Sequence, residues 1–253
     1  MIEEKELLSL NAQGMIPGPG ESEEAFMARV KILKSHSRLD ALPRAHWNLS
    51  RHRLIELFDF EPECLAAFYS NRSLTPWQGA ATWIEEGNIP LIQLREGFRK
   101  GSYLGYGRSE ILSHEAIHAA RSAFDEPMAE EFFAFMASET PWRRMLGPIL
   151  RRPWEAWLFL STLFIGLFFP LGSGISALLA IMALVRLARL HRRMGKASQC
   201  LLMALGSVKK ARSVLFRLTD AEIKKFAKGE EFFSYARKQS CLRWRLLQLI
   251  AAR

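Results

Sequence analysis

Residues 156–185 form a run of thirty without a single Asp, Glu, Lys or Arg. A helix on a water-soluble core keeps one polar side, so this run predicts a membrane segment. One continuous helix over thirty residues would be about 45 Å long, more than a hydrocarbon core of about 30 Å requires. Pro170-Leu-Gly-Ser-Gly174 interrupts the run near its middle. Two arms, 154–169 and 175–190, would each reach about 24 Å, short for a span but tolerable with local thinning and snorkelling of Arg186 and Arg189.

Charge chooses among the ways to place this run. Arg143, Arg144, Arg151 and Arg152 precede it, Arg186, Arg189, Arg192, Arg193 and Lys196 follow it, and the turn carries none. Positive residues stay on the cytoplasmic side, so a transmembrane hairpin with both termini in the cytosol is expected. A single tilted span and a monotopic or soluble state are the alternatives. Trp142, Trp154 and Trp157 lie at the approach to the run, where interfacial tryptophans belong.

The remainder is composed as a folded protein. Apolar residues make 49% of the chain against 16 Gly and 11 Pro, which excludes a disordered or collagen-like polymer. Residues 186–253 hold 17 Lys and Arg against 4 Asp and Glu, so the formal +9 belongs to the C-terminal region. Beside a membrane segment such a region is expected to meet anionic headgroups. Nucleic acid is not an expected partner, because zinc-finger spacing, an RNA-binding aromatic motif and a phosphate loop are all missing. Cys64, Cys200 and Cys241 are far apart and odd in number, which predicts free thiols in a reducing compartment. The acidic start, Met1-Ile-Glu-Glu-Lys-Glu, has no apolar stretch for a cleavable signal, and the first 150 residues are expected in the cytosol.

Periodicity predicts helices over 21–33 and 50–70, the latter broken at Pro62. Residues 81–84 and 89–94 read as short strands about a turn at 85–88, with Pro90 confining the second to a sheet edge. A helix is predicted from a Ser109 cap to about Ala123, and a second from Pro127 to about Ser138. In the tail, 201–216, a start at Thr219-Asp-Ala-Glu222, and 230–250 read as helical, the last amphipathic and basic. It is expected either to lie on the membrane or to pack back on the rest. Four segments result: 1–74, 75–150, 151–191 and 192–253.

The chemistry concentrates in His114-Glu115-Ala116-Ile117-His118. Histidines four apart share a helical face, so both imidazoles can reach one ion, and neutral imidazole suits Zn²⁺. Glu115 stands beside the first ligand, where a carboxylate can move a proton from water activated by the metal. A catalytic zinc needs a third protein ligand. Glu131 is the choice, at the edge of an apolar stripe of Met128, Phe132 and Phe135, whereas Glu130 falls with Glu126 and Ala134 on the face expected to be exposed. Tyr103, Tyr106 and Arg121 are candidates to stabilise an oxyanion. Cys64 is a remote candidate for a latent zinc ligand.

His114-Glu-x-x-His118 followed by Glu131-x-x-Ala134 resembles the gluzincin class of zinc metallopeptidases, in its minimal form. The resemblance covers about residues 75–140. It implies one zinc per chain held by His114, His118 and Glu131, with Glu115 as general base and acid. It also implies an α+β, mostly helical zincin-like domain, whose edge strand within 81–94 aligns a peptide substrate above the active helix. The chain departs from larger members in carrying Phe135 where an Asp is usual. The expectation is a membrane-anchored zinc endopeptidase; the rivals are a non-catalytic membrane protein with a structural metal, and a lipid- or nucleic-acid-binding protein acting through the tail.

Overall fold

The computed structural model describes residues 2–36, 42–149 and 153–253. Twelve helices dominate these described residues, with two small sheets. Helices α1 (Glu4–Ala12), α2 (Glu23–His36) and α3 (Asn48–Phe58) lead into strand β1 (Ala66–Tyr69). Strands β2 (Ala80–Glu85) and β3 (Ile89–Leu94) follow, then the short pair β4 (Ser102–Tyr103) and β5 (Tyr106–Gly107). Next come α4 (Arg108–Ala120), α5 (Pro127–Met136) and α6 (Pro141–Leu146). The apolar run forms α7 (Pro153–Gly166) and the start of α8 (Pro170–Leu205). The tail folds as α9 (Val208–Phe216), α10 (Asp220–Phe226), α11 (Phe232–Arg237) and α12 (Leu242–Ala252).

The larger sheet has the order β1-β3-β2, with β3 parallel to β1 and antiparallel to β2. The expected strand pair and turn are present, but two expectations change. Residues 66–69 are a strand and not helix, because a four-residue apolar run takes its conformation from the partner it finds. Strand β3 is central and not an edge. Pro90 is accommodated because the parallel ladder with β1 begins one residue later, at Ala66 opposite Leu91. The missing N–H therefore lies outside that ladder.

Helices α7 and α8 lie antiparallel and touch closely at their connected ends. A Cβ on Gly172 would stand 2.5 Å from the Gly166 nitrogen, and one on Gly166 would stand 2.7 Å from that of Ser173. These glycines thus serve the close approach of two helices; the turn itself is at 167–169, and Pro170 occupies the favoured first helical position. Ser176 donates to Thr162 (3.0 Å), and Arg186 grips both oxygens of Glu155 at 2.8 and 2.6 Å. The α8 helix does not end with the apolar run. At 36 residues it is about 54 Å long and carries on through Arg189, Arg193 and Met194 to Gly206. By length and composition, residues Leu171–Leu205 alone among the described helices could cross a membrane; the apolar stretch of α7, Trp154–Gly166, is shorter. Leu160, Phe164, Phe168, Leu171, Leu178 and Ile181 stand exposed along the pair.

The tail packs back on the rest. One buried cluster runs from Leu7, Phe26 and Phe58 through Ile92, Leu112 and Phe133 to Leu201, Phe216, Trp244 and Leu247. The boundaries at 74 and 191 therefore do not separate independent cores. Phe58, Phe133 and Phe216, from three of the four segments, meet ring to ring. Arg217 ties the tail to the first segment by donating to Asn11 Oδ1 (2.6 Å) and to the carbonyl of Phe58, and it also donates to the carbonyl of Ser213. Thr219 and Glu222 form a reciprocal cap at the expected start of α10. Glu222 also receives Arg243 through both oxygens (2.8 and 2.7 Å) and the Trp244 indole N–H (2.6 Å).

Candidate metal centre

Helix α4 presents the histidines and α5 returns alongside it. Both helices bury small residues: Ala116, Ala119 and Ala120 on α4, Ala129 and Ala134 on α5, and Ala137 just after its end. This corrects the stripe expected for α5. Met128, Phe132 and Phe135 are only partly buried, and the fully packed line is Ala129, Phe133, Ala134 and Ala137. Side-chain size, and not hydrophobicity alone, selected the face that meets α4.

The outcome at the site is a cluster of three donor residues. His114 Nε2 and His118 Nε2 lie 3.2 Å apart, as the four-residue spacing requires. Glu131 Oε1 stands 3.8 Å from His118 Nε2. One donor atom from each of His114, His118 and Glu131 falls within 4.8 Å of the others. Phe135 walls the outer side of His114, ring centroids 4.9 Å apart. Phe135 is itself fixed by Gly147, where a Cβ would meet its ring at 2.1 Å.

Glu130 has a role that periodicity hid. It is not on a free face: its Oε1 lies 2.8 Å from His118 Nδ1. Holding the proton on Nδ1 leaves Nε2 as the lone-pair atom aimed at His114 and Glu131. Burial alone would lower the His118 pKa, but the Glu130 hydrogen bond and the charges of Glu131 and Glu115 outweigh it and hold the group at about 9. His114 is driven down to about 3 by burial and by its positive neighbour His118. Were a metal to displace the proton of His118, both imidazoles would be neutral and Glu115, Glu130 and Glu131 would leave the cluster anionic. A cation that accepts nitrogen and oxygen donors matches that charge and that donor set.

Glu115 sits one residue on, 8% exposed, and turned toward the sheet. Thr82 of β2 donates its hydroxyl to Glu115 Oε2 (2.7 Å). Burial raises the Glu115 pKa above the ordinary carboxylate value, although His118 and Thr82 pull the other way. Thr82 is separated by 33 residues from its partner, and no local pattern marks it.

The other candidates are placed elsewhere. Arg121 is fully buried and donates to the carbonyls of Phe216 and Leu218, with its guanidinium over the rings of Phe124 and Phe133. It is a core clamp on the tail, so its reading as an oxyanion stabiliser is corrected. Tyr106 lies beneath Arg143, whose guanidinium is 3.8 Å from the ring centroid and paired with Glu110. Tyr103 packs edge-on against Phe98. Cys64 is buried beside Gln13 Oε1 (3.6 Å), and burial pushes its thiol up; it is not part of the metal cluster. No protein-family model, curated protein or solved structure matches this chain, and its own site is the ground for a functional reading.

Proposed function

We propose that the protein is a membrane-anchored, zinc-dependent endopeptidase whose site is of the gluzincin kind and faces the cytosol. The observation that carries the reading is the convergence of His114, His118 and Glu131 donors within 4.8 Å beside a buried, proton-accepting Glu115. His114, His118 and Glu131 would hold the metal. Bound there, zinc supplies Lewis acidity, which polarises a peptide carbonyl and makes a water acidic enough to attack near neutral pH.

The chain's own groups do the rest. Glu115 takes a proton from the attacking water and delivers it to the leaving amine, and a carboxyl raised by burial suits both halves of that task. Thr82 holds Oε2, which fixes the carboxylate plane and leaves Oε1 to exchange the proton. Glu130 keeps His118 in the tautomer that ligates through Nε2. Strand β2 lies over Glu115 with β3 on one side only, so an extended peptide can pair with its other edge. The arrangement in the membrane follows from α7 and α8: exposed apolar side chains embed both, with Arg186 and its neighbours at the cytosolic surface.

Metal analysis of the purified protein is expected to find one zinc per chain, lost in Glu131→Ala and weakened about 10–100-fold in Glu130→Ala. Glu115→Gln should keep the zinc and lose cleavage of unstructured peptides; unchanged turnover in that variant would remove Glu115 from the mechanism. Single cysteines at exposed Ser73, Ser173 and Ser240, in a cysteine-free background, test topology. Labelling of intact cells from outside should reach Ser173 only; labelling at Ser240 without Ser73 would mean a single span.

A further inference from the structure

A cavity of about 860 Å³ lies where α7 and α8 meet α5, outside the metal cluster. Its two ends differ chemically. Leu158, Phe159, Leu179 and Met182 line one end, within the uncharged run, while Arg186, Arg189 and Arg193 line the other. These arginines stand at positions three and seven residues along one helix, which places them on a single face of α8. The single carboxylate in the lining is Glu155, and both its oxygens are already held by Arg186. Arg189 has no carboxylate partner among the described residues, and Arg193 donates to the thioether of Met128 at 3.0 Å, a weak acceptor for a guanidinium. From Leu179 to Arg193 is fourteen residues of helix, about 21 Å along the axis.

An apolar slot bordered at one end by two under-satisfied guanidinium groups is complementary to one kind of molecule. We infer that the cavity binds a single anionic phospholipid, its phosphate on Arg189 and Arg193 and its acyl chains against α7 and α8. Guanidinium forks match phosphate oxygens, and these arginines follow the apolar run, at the depth where headgroups lie. The site rests on the reading of α7 and α8 as membrane-embedded and is independent of the zinc.

The test uses full-length protein in detergent with added dioleoylphosphatidylglycerol or dioleoylphosphatidylcholine, read by native mass spectrometry. One phosphatidylglycerol per chain should be retained, at least tenfold in preference to the zwitterionic lipid. The Arg189→Gln, Arg193→Gln pair should bring that preference within twofold, and exposed Arg192→Gln should keep it. Ala183→Trp fills the cavity without touching the arginines and should abolish retention while circular dichroism stays native; it decides the matter if the double variant does not fold. An unchanged preference in both the double and the Ala183→Trp proteins overturns the site. Full displacement by equimolar glycerol 3-phosphate would also overturn it, by showing that a soluble phosphate ester suffices. Release of the protein from membranes by carbonate would refute the membrane reading itself, whereas carbonate resistance without lipid preference refutes only this site.

Discussion

The α7–α8 pair and the tail from α9 to α12 invert each other. Up to Val185 the first carries Glu155 as its single charged residue and holds its large side chains outward: Phe164, Phe168 and Leu171 are each more than 60% exposed. The second is strongly basic and holds arginines inward, with Arg217 at 0% and Arg243 at 4%. The difference shows that a residue's place follows from the partner available and not from its polarity alone. Exposed leucines are stable where the surrounding medium is hydrocarbon, and a buried guanidinium is stable where carbonyls and carboxylates meet its donors. On the proposed membrane reading, the two regions would solve the same desolvation problem with different surroundings.

The sharpest way to break the contrast is to unpair the buried charge. Glu222→Ala leaves Arg243 with the Arg217 carbonyl but without its carboxylate, and the Trp244 N–H without its acceptor, and is expected to cost about 3–5 kcal/mol in denaturant unfolding. A loss below about 1 kcal/mol would mean that the tail's arginines are effectively solvated. A smaller effect is expected where packing alone is disturbed: Gly172→Val should cost about 1–3 kcal/mol by forcing α8 away from Gly166, read as a lowered Tm in detergent.

A third measurement concerns pH. Asp220 accepts the Ala129 N–H, and the neighbouring Glu126 accepts that of Asp220, so the starts of α5 and α10 cap each other. Burial first, then the Glu126 charge, raises Asp220 to about 6 from 3.8, while Arg121 opposes the rise. An acid raised in the folded state contributes stability below pH 3.8 that is lost as pH climbs through 6. Asp220→Asn should therefore flatten the stability profile between pH 4 and 6 and leave the variant relatively more stable at pH 7. The smallest change is expected on the outward apolar face. Leu178→Ser, at a position 57% exposed, should alter unfolding of the core by no more than about 0.5 kcal/mol while reducing carbonate-resistant membrane association. A core loss as large as that of Glu222→Ala would show Leu178 to be packed against protein.

What could be read in the sequence was local. The histidine pair needs only the helical repeat, the Thr219–Glu222 helix start needs only four residues, and the β2–β3 turn needs one loop. The position of Glu131 followed from chain return after a short turn, though the stripe used to place it was the wrong one, because alanines define the face that meets α4. The long-range pieces were hidden. Thr82 reaches Glu115 across 33 residues, β1 becomes a strand through pairing with β3, and Arg121 finds carbonyls about a hundred residues away. Spacing carries no trace of such contacts, since each depends on how separate segments dock. Glu130 was hidden by a different effect: it sits beside Glu131, and helical phase alone ranks the two by a stripe that packing then moved.

Arg121 also fixes an order of events. It lies three residues after His118, yet its acceptors are the Phe216 and Leu218 carbonyls, which leave the ribosome only after the apolar pair. At about 5–20 residues per second, roughly 5–20 s separate the synthesis of the histidine helix from that of the segment that locks it. A nascent chain would carry the HExxH sequence through that interval with its supporting core unfinished. Completion of the core around the His114–His118 helix would thus wait for α7 and α8, and a chain halted before residue 216 would lack the Arg121 acceptors.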